Sequence, residues 1–141
     1  MKDSIKSGFE HEIEFTVNEN KTVPRLYPES ELFRTMPEVF ATGFMVGFME
    51  WACMDALAPH LDEGEHSVGV HINVSHCAAT PVGMKVRAKV RCIAVEGQKT
   101  SWEVEAYDEK ELIGKGTHDR FTINVERFNQ RVAKKAQSAL S

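Results

Sequence analysis

Four polar residues stand where the hydropathy pattern leaves least room for them. Glu50 sits between Met49 and Trp51 in the apolar run 42-TGFMVGFMEW-51. On a helix it shares its face with Gly43, Val46, Gly47, Cys53, Met54 and Leu57, none of them charged. A carboxylate in that setting must be hydrogen-bonded, protonated or chemically employed, because burying it unpaired is costly. Thr42 lies early in the same helix, about 12 Å from Glu50 along the axis and rotated by about 80°. The two cannot touch, so they could only bracket a ligand. His76 ends an apolar strand face, and Arg120 lies inside the strand 116-GTHDRFTINV-125.

Each residue also has a plainer reading. A mid-helix threonine bonds a carbonyl one turn back. A lone histidine is more often a satisfied core or turn residue, and a strand arginine as readily pairs with an Asp or Glu. Together, a carboxylate, a hydroxyl and an imidazole around an apolar pocket suit acyl transfer. Glu50 would attack a thioester or activate water, His76 would shuttle the proton, and Thr42 would donate to the oxyanion or the leaving sulfur. Free N–H groups near the helix N-terminus are further candidate oxyanion donors. A helix-borne acid facing a histidine would equally serve a hydratase, and pattern alone does not separate the two.

Other chemistries find less support. The six histidines show no HExxH or other metal-ligand spacing, so no metal is implied. No P-loop, GxSxG elbow or GxGxxG occurs. The basic residues between Lys85 and Arg91 read as a solvated strand face. A net charge of −4 argues against a partner held by nucleic-acid phosphates.

The elements that must position these residues follow from periodicity. Residues 9–17 alternate apolar and charged and predict a strand. Residues 18–37 carry three prolines (Pro24, Pro28, Pro37) among Val23, Leu26, Tyr27, Phe33 and Met36. A segment this long without regular structure is a candidate lid. A central helix over about 38–58 follows, with Pro37 in its first turn and Pro59 ending it; it is apolar nearly all round and should be buried. Val68, Val70, Ile72 and Val74 then repeat with period two, His76 in phase. Met84, Val86, Ala88, Val90 and Cys92 define the inner face of the next strand. A three-residue loop near Gly97 would pair Val90 with Ala106 and Arg91 with Glu105. A long strand through about Val125 and a helix over about 126–138 close the chain. The order predicts an α+β hot-dog fold, an antiparallel sheet wrapped around a long central helix. Its uncovered face and edge imply a homodimer.

The 141 residues suffice for a single domain, 1–141, with a substantial core. Cys53, Cys77 and Cys92 read as buried free thiols in a reducing compartment. The N-terminus lacks a signal-peptide core, and the run Val39–Met49 is too short to cross a bilayer, which takes about 20 residues. A cytoplasmic protein with no membrane partner is expected.

The stretches 26-LYPES-30, 37-PEVFATGFMVGFMEWAC-53, 76-HCAATPVG-83 and 116-GTHDR-120 closely resemble the fluoroacetyl-CoA thioesterase family of bacterial hot-dog enzymes. The likeness runs nearly end to end, through Glu96–Gly97, Trp102 and Phe128–Asn129. It implies a homodimeric acyl-CoA thioesterase with no cofactor beyond the coenzyme A of its substrate. It further implies catalytic roles for Thr42, Glu50 and His76, and an acyl-enzyme anhydride on Glu50. Gly69 and Arg120 would lie by the acyl α-carbon, and Val23, Leu26, Phe33 and Met36 would form an apolar lid. At Met36 the family carries phenylalanine, so a flexible thioether replaces a flat ring and the acyl pocket should be looser. A non-catalytic acyl-CoA-binding domain and an enoyl-CoA hydratase are the alternative readings of the same fold.

Overall fold

The computed structural model describes residues 1–140. Its single sheet contains β1 (Glu10–Thr16), β2 (Glu65–His76), β3 (Lys85–Glu96), β4 (Lys99–Tyr107) and β5 (Leu112–Asn124), in the order β1-β3-β4-β5-β2, all antiparallel. Helix α2 (Thr42–Leu57) packs against one face of the sheet. A short helix α1 (Glu31–Arg34) belongs to the segment before it, and α3 (Val125–Leu140) follows β5.

The alternation read in β3 is reproduced. Val86, Ala88, Val90 and Cys92 are buried, and the intervening basic residues face outward. Three members of that basic stripe meet carboxylates on neighbouring strands: Lys85 meets Glu14, Arg87 meets Glu12 and Arg91 meets Glu103 at 2.6 Å. The register differs from the expected one. The β3–β4 turn is tighter, with Glu96 opposite Lys99, and a bulge follows between Cys92 and Ala94. Val90 therefore opposes Val104 and Arg91 opposes Glu103. Sliding by two residues preserves both the apolar and the charge matching, so pattern could not choose between the registers.

Two helix expectations need correction. Helix α2 begins at Thr42, not near 38. Residues 39–41 are extended and bonded into the fold: Val23 N donates to Val39 O, Phe40 N to Thr80 O and Ala41 N to Lys21 O. Nor is α2 covered all round. It buries Met45, Phe48, Met49, Ala52, Cys53, Ala56 and Leu57 against the sheet, which encloses one side only. Thr42, Gly43, Gly47, Trp51 and Met54 remain exposed. Burial of each larger side chain contributes about 1.5–3 kcal/mol, which fixes this helix where its polar residues can act.

Strand β2 forms one edge of the sheet, and a bulge between Gly69 and His71 splits its pattern. Ile72, Val74 and His76 share one phase; on the other side of the bulge, Ser67 and Gly69 take that phase instead of Val68. The thiols also depart from expectation: Cys53 and Cys92 are buried, whereas Cys77 is exposed.

Candidate active site

Arg120 projects from β5 into the space under α2 and is 3 % exposed in its side chain. Its guanidinium is held at several points. Nε donates to Ser67 Oγ at 2.8 Å, and Nη2 donates to the Ser67 carbonyl at 2.7 Å. Nη1 donates to Glu50 Oε1 at 3.0 Å and lies 3.2 Å from His118 Nε2. The plain reading of Arg120, an ion pair, and the functional reading of Glu50 thus meet in one contact.

Glu50 itself is 37 % exposed, so it is not entombed as its apolar neighbours suggested. It opens into a cavity of about 370 Å³ lined also by Val46, Gly69, Val70, Ile72 and His118. A side chain at Gly69 would displace Glu50. A Cβ at this position would stand 2.6 Å from Glu50 Oε1 and 3.1 Å from His118 Cε1.

Thr42 and His76 form a separate pair. Thr42 Oγ1 lies 2.7 Å from His76 Nδ1, and both line a second cavity, of about 320 Å³, with Val23, Val39 and Phe40. His76 Nε2 is buried and has no hydrogen-bond partner among the described residues. Burial holds the imidazole below its ordinary pKa, opposed by the backbone of Ala78. The threonine is at the first turn of α2, where no side chain caps the helix, so the carbonyl one turn back is not its partner.

The candidate lid, residues 18–37, divides between these places. Its stems are tied by the bridge between Thr22 and Phe40. Val23 reaches the Thr42 cavity, and Leu26 packs on α2 at Gly43, its Cδ2 only 3.1 Å from where a Cβ would be. Phe33 packs against Tyr27, with ring centroids 5.4 Å apart. Met36 stays 48 % exposed. Within one chain, therefore, Glu50, Gly69 and Arg120 come together, as do Thr42, His76 and Val23, but the two groups open into different cavities.

Sequence reading missed Ser67 and His118. For His118 the signal was present: His118, Arg120 and Thr122 are two apart, so a buried Arg120 implies that its neighbours in phase are buried with it. Among the described residues, no group of three His, Cys, Asp or Glu side chains could hold a metal ion.

The model of the fluoroacetyl-CoA-specific thioesterase family matches residues 17–126. The chain belongs to that family. The fluoroacetyl-CoA thioesterase of Streptantibioticus cattleyicolor is 50 % identical over 135 residues, covering 96 % of this chain and 97 % of the relative. A solved structure of the fluoroacetyl-CoA thioesterase FlK superposes with a TM-score of 0.93 at 50 % identity, covering 94 % of this chain and 98 % of the other. A thioesterase superfamily member of Thermus thermophilus follows at 0.83 and 31 %, covering 96 % and 98 %. As a member of the fluoroacetyl-CoA-specific thioesterase family, the chain is a hot-dog thioester hydrolase acting on acyl-CoA. Its five-stranded sheet and helix α2 are the two parts of that architecture.

Proposed function

We propose that the chain hydrolyses a short-chain acyl-CoA, fluoroacetyl-CoA or another α-substituted one, at a site completed by a second copy of itself. The observation that carries this reading is the state of Glu50. One carboxylate oxygen takes a hydrogen bond from Arg120, while Oε2 accepts none among the described residues and the group opens into a cavity.

In the nucleophilic version, Oε2 adds to the thioester carbonyl and the C–S bond breaks. Coenzyme A leaves as the thiolate, and a mixed anhydride remains on Glu50. Water then adds to the anhydride; neutral His76 takes a proton from that water and passes it to the thiolate, so the carboxylate is restored and the acid and free coenzyme A are released. In the general-base version, Glu50 takes a proton from water as its oxygen adds to the thioester carbonyl; the C–S bond then breaks and the leaving thiolate takes that proton back from Glu50. The family resemblance supports the first. Thr42 and the uncapped N–H groups of α2 are the oxyanion donors in either version. Gly69 and Arg120 border the acyl group, and Val23, Leu26, Phe33 and Met36 cover it.

The homodimer is supported by what one chain leaves open. Val70 and Ile72 on edge strand β2, and Trp51 and Met54 on α2, are exposed apolar residues. Antiparallel pairing of edge strand β2 with its copy would run the His76 end of one strand alongside the half of the other that holds Gly69. That brings the Thr42–His76 pair of one subunit to the Glu50–Arg120 group of the other. No helix of the described residues is long and apolar enough to cross a membrane. With coenzyme A as part of the substrate, the cytoplasm is the compartment we infer.

The test is free-thiol release by purified protein from acetyl-, fluoroacetyl-, propionyl-, butyryl- and phenylacetyl-CoA. Release from the short members, fastest with an α-substituent, is expected. No release from any member overturns the assignment.

A further inference from the structure

We propose that His118 is a positioning residue: as the neutral Nδ1–H tautomer it occupies one hydrogen of Arg120 Nη1 and so restricts Arg120 to a single-point grip on Glu50. The proposal rests on the reading of Glu50 as the reacting carboxylate.

The tautomer follows from the partners. His118 is 1 % exposed, and its Nδ1 lies 2.7 Å from the His71 carbonyl oxygen. A carbonyl only accepts, so Nδ1 carries the hydrogen. Its Nε2 lies 3.2 Å from Arg120 Nη1, which only donates, so Nε2 must be the bare acceptor. Only the neutral Nδ1–H form satisfies both. The surroundings agree: burial first, then the Arg120 charge, lower the pKa, against the His71 carbonyl and the more distant Glu50 and Asp119 carboxylates.

Counting hydrogens gives the consequence. A guanidinium has five N–H donors in a fixed fork. Here Nε and one Nη2 hydrogen are spent on Ser67, which anchors the fork to β2. The two Nη1 hydrogens go to Glu50 Oε1 and His118 Nε2. Arginine grips carboxylates bidentately when it can. With the His118 acceptor removed, an Nη1 hydrogen loses its partner, and the nearest compensation is tighter engagement of Glu50. A carboxylate held at both oxygens is a poorer nucleophile and a poorer base. His118 therefore keeps Arg120 close enough to orient Glu50 without silencing it, and it ties that spacing to the β2 bulge at His71.

Two variants separate this role from simple packing. In His118→Gln, the amide oxygen reaches the Nε2 position and keeps the acceptor for Arg120, while the donor to His71 is lost. In His118→Asn, the amide nitrogen keeps the donor to His71 and the acceptor is lost. We expect kcat for acyl-CoA hydrolysis to fall about 10–100-fold in His118→Asn with KM little changed, misplacement being costly at this scale. His118→Gln should recover most of that loss at comparable melting temperature. Equal losses in both variants, or the reverse order, overturn the proposal. A second measurement is independent of turnover and folding of variants: ¹⁵N spectra of the histidines in the wild-type protein at neutral pH. A protonated Nδ1 and bare Nε2 on His118 are expected; an Nε2–H form or an imidazolium overturns the proposal. A wild type that releases no coenzyme A from any acyl-CoA overturns the reading of Glu50 instead, and the spectrum still decides the assignment of His118.

Discussion

The two polar groups around α2 differ in how complete they are within one chain. The Glu50 group is a closed network: Ser67, His118 and Glu50 take four bonds from Arg120, and the His71 carbonyl fixes His118 from behind. The Thr42 group is a single hydrogen bond, with His76 Nε2 buried and unpartnered among the described residues. A buried ring nitrogen without a partner is costly, and one tied to an otherwise ordered strand end has little freedom to find one. The difference suggests a division of labour. One group is satisfied by folding alone; the other keeps a buried ring nitrogen without a partner among the described residues.

The largest expected effects test that division directly. Glu50→Ala should lower kcat at least about 10³-fold, since the reacting group itself is removed. Thr42→Ala should also be strongly impaired. If the site is shared, mixing the two inactive proteins with subunit exchange should restore about a quarter of wild-type activity, because half the dimers are mixed and each carries one intact site. Exchange confirmed by native mass spectrometry without recovered activity would confine the site to one chain and erase the comparison. A smaller effect, about 10²-fold in kcat, is expected from Gly69→Ala, which pushes Glu50 from its place on Arg120. A Gly69→Ala protein with full kcat would mean the network tolerates displacement and is not a positioning device.

How much of this was legible in the sequence depended on the kind of signal. The β3 and β4 alternation and the apolar run of α2 are local and periodic, and they yielded the fold. Registers were less legible, because a two-residue slide keeps faces and charges matched, and only the bulge at Cys92 decides it. Glu50 and Arg120 stood out as charges in apolar company. Their pairing did not, since the two lie 70 residues apart in sequence. His118 and Ser67 were hidden because histidine and serine in strands attract no attention until their neighbour in phase is known to be buried. The exposed side of α2 was unreadable for a different reason: an apolar helix face looks the same whether its own sheet covers it or a partner does.

The pH response sharpens the comparison by a more modest amount. Both His76 and His118 are held below the ordinary histidine value of 6.5, burial being the main cause in each. The unfolded chain then binds protons more readily than the folded one, so stability is whole above about 6.5 and declines as pH falls toward the folded values. Melting temperature followed from pH 7.5 downward should fall in that window, and His76→Gln should remove part of the decline. Hydrolysis should persist further into acid than an ordinary histidine base would allow. A wild-type melting temperature flat through the window would mean neither imidazole is desolvated, which would remove the physical basis for treating either as neutral.

The smallest effect is expected at the lid. Met36 is half exposed and packs in no core, so replacing it should leave stability within about 0.5 kcal/mol. Its importance would lie in the closed state, where a thioether with three rotatable bonds covers the acyl group more loosely than a flat ring. Met36→Phe should therefore change the ratio of kcat/KM between fluoroacetyl-CoA and acetyl-CoA by no more than about tenfold, as shape differences of one small group allow. The direction expected is toward fluoroacetyl-CoA, because the ring restores what the family carries at this position. An unchanged ratio would mean the lid never meets the acyl group. Selectivity would then have to come from Gly69 and Arg120, the half of the site that folding alone completes.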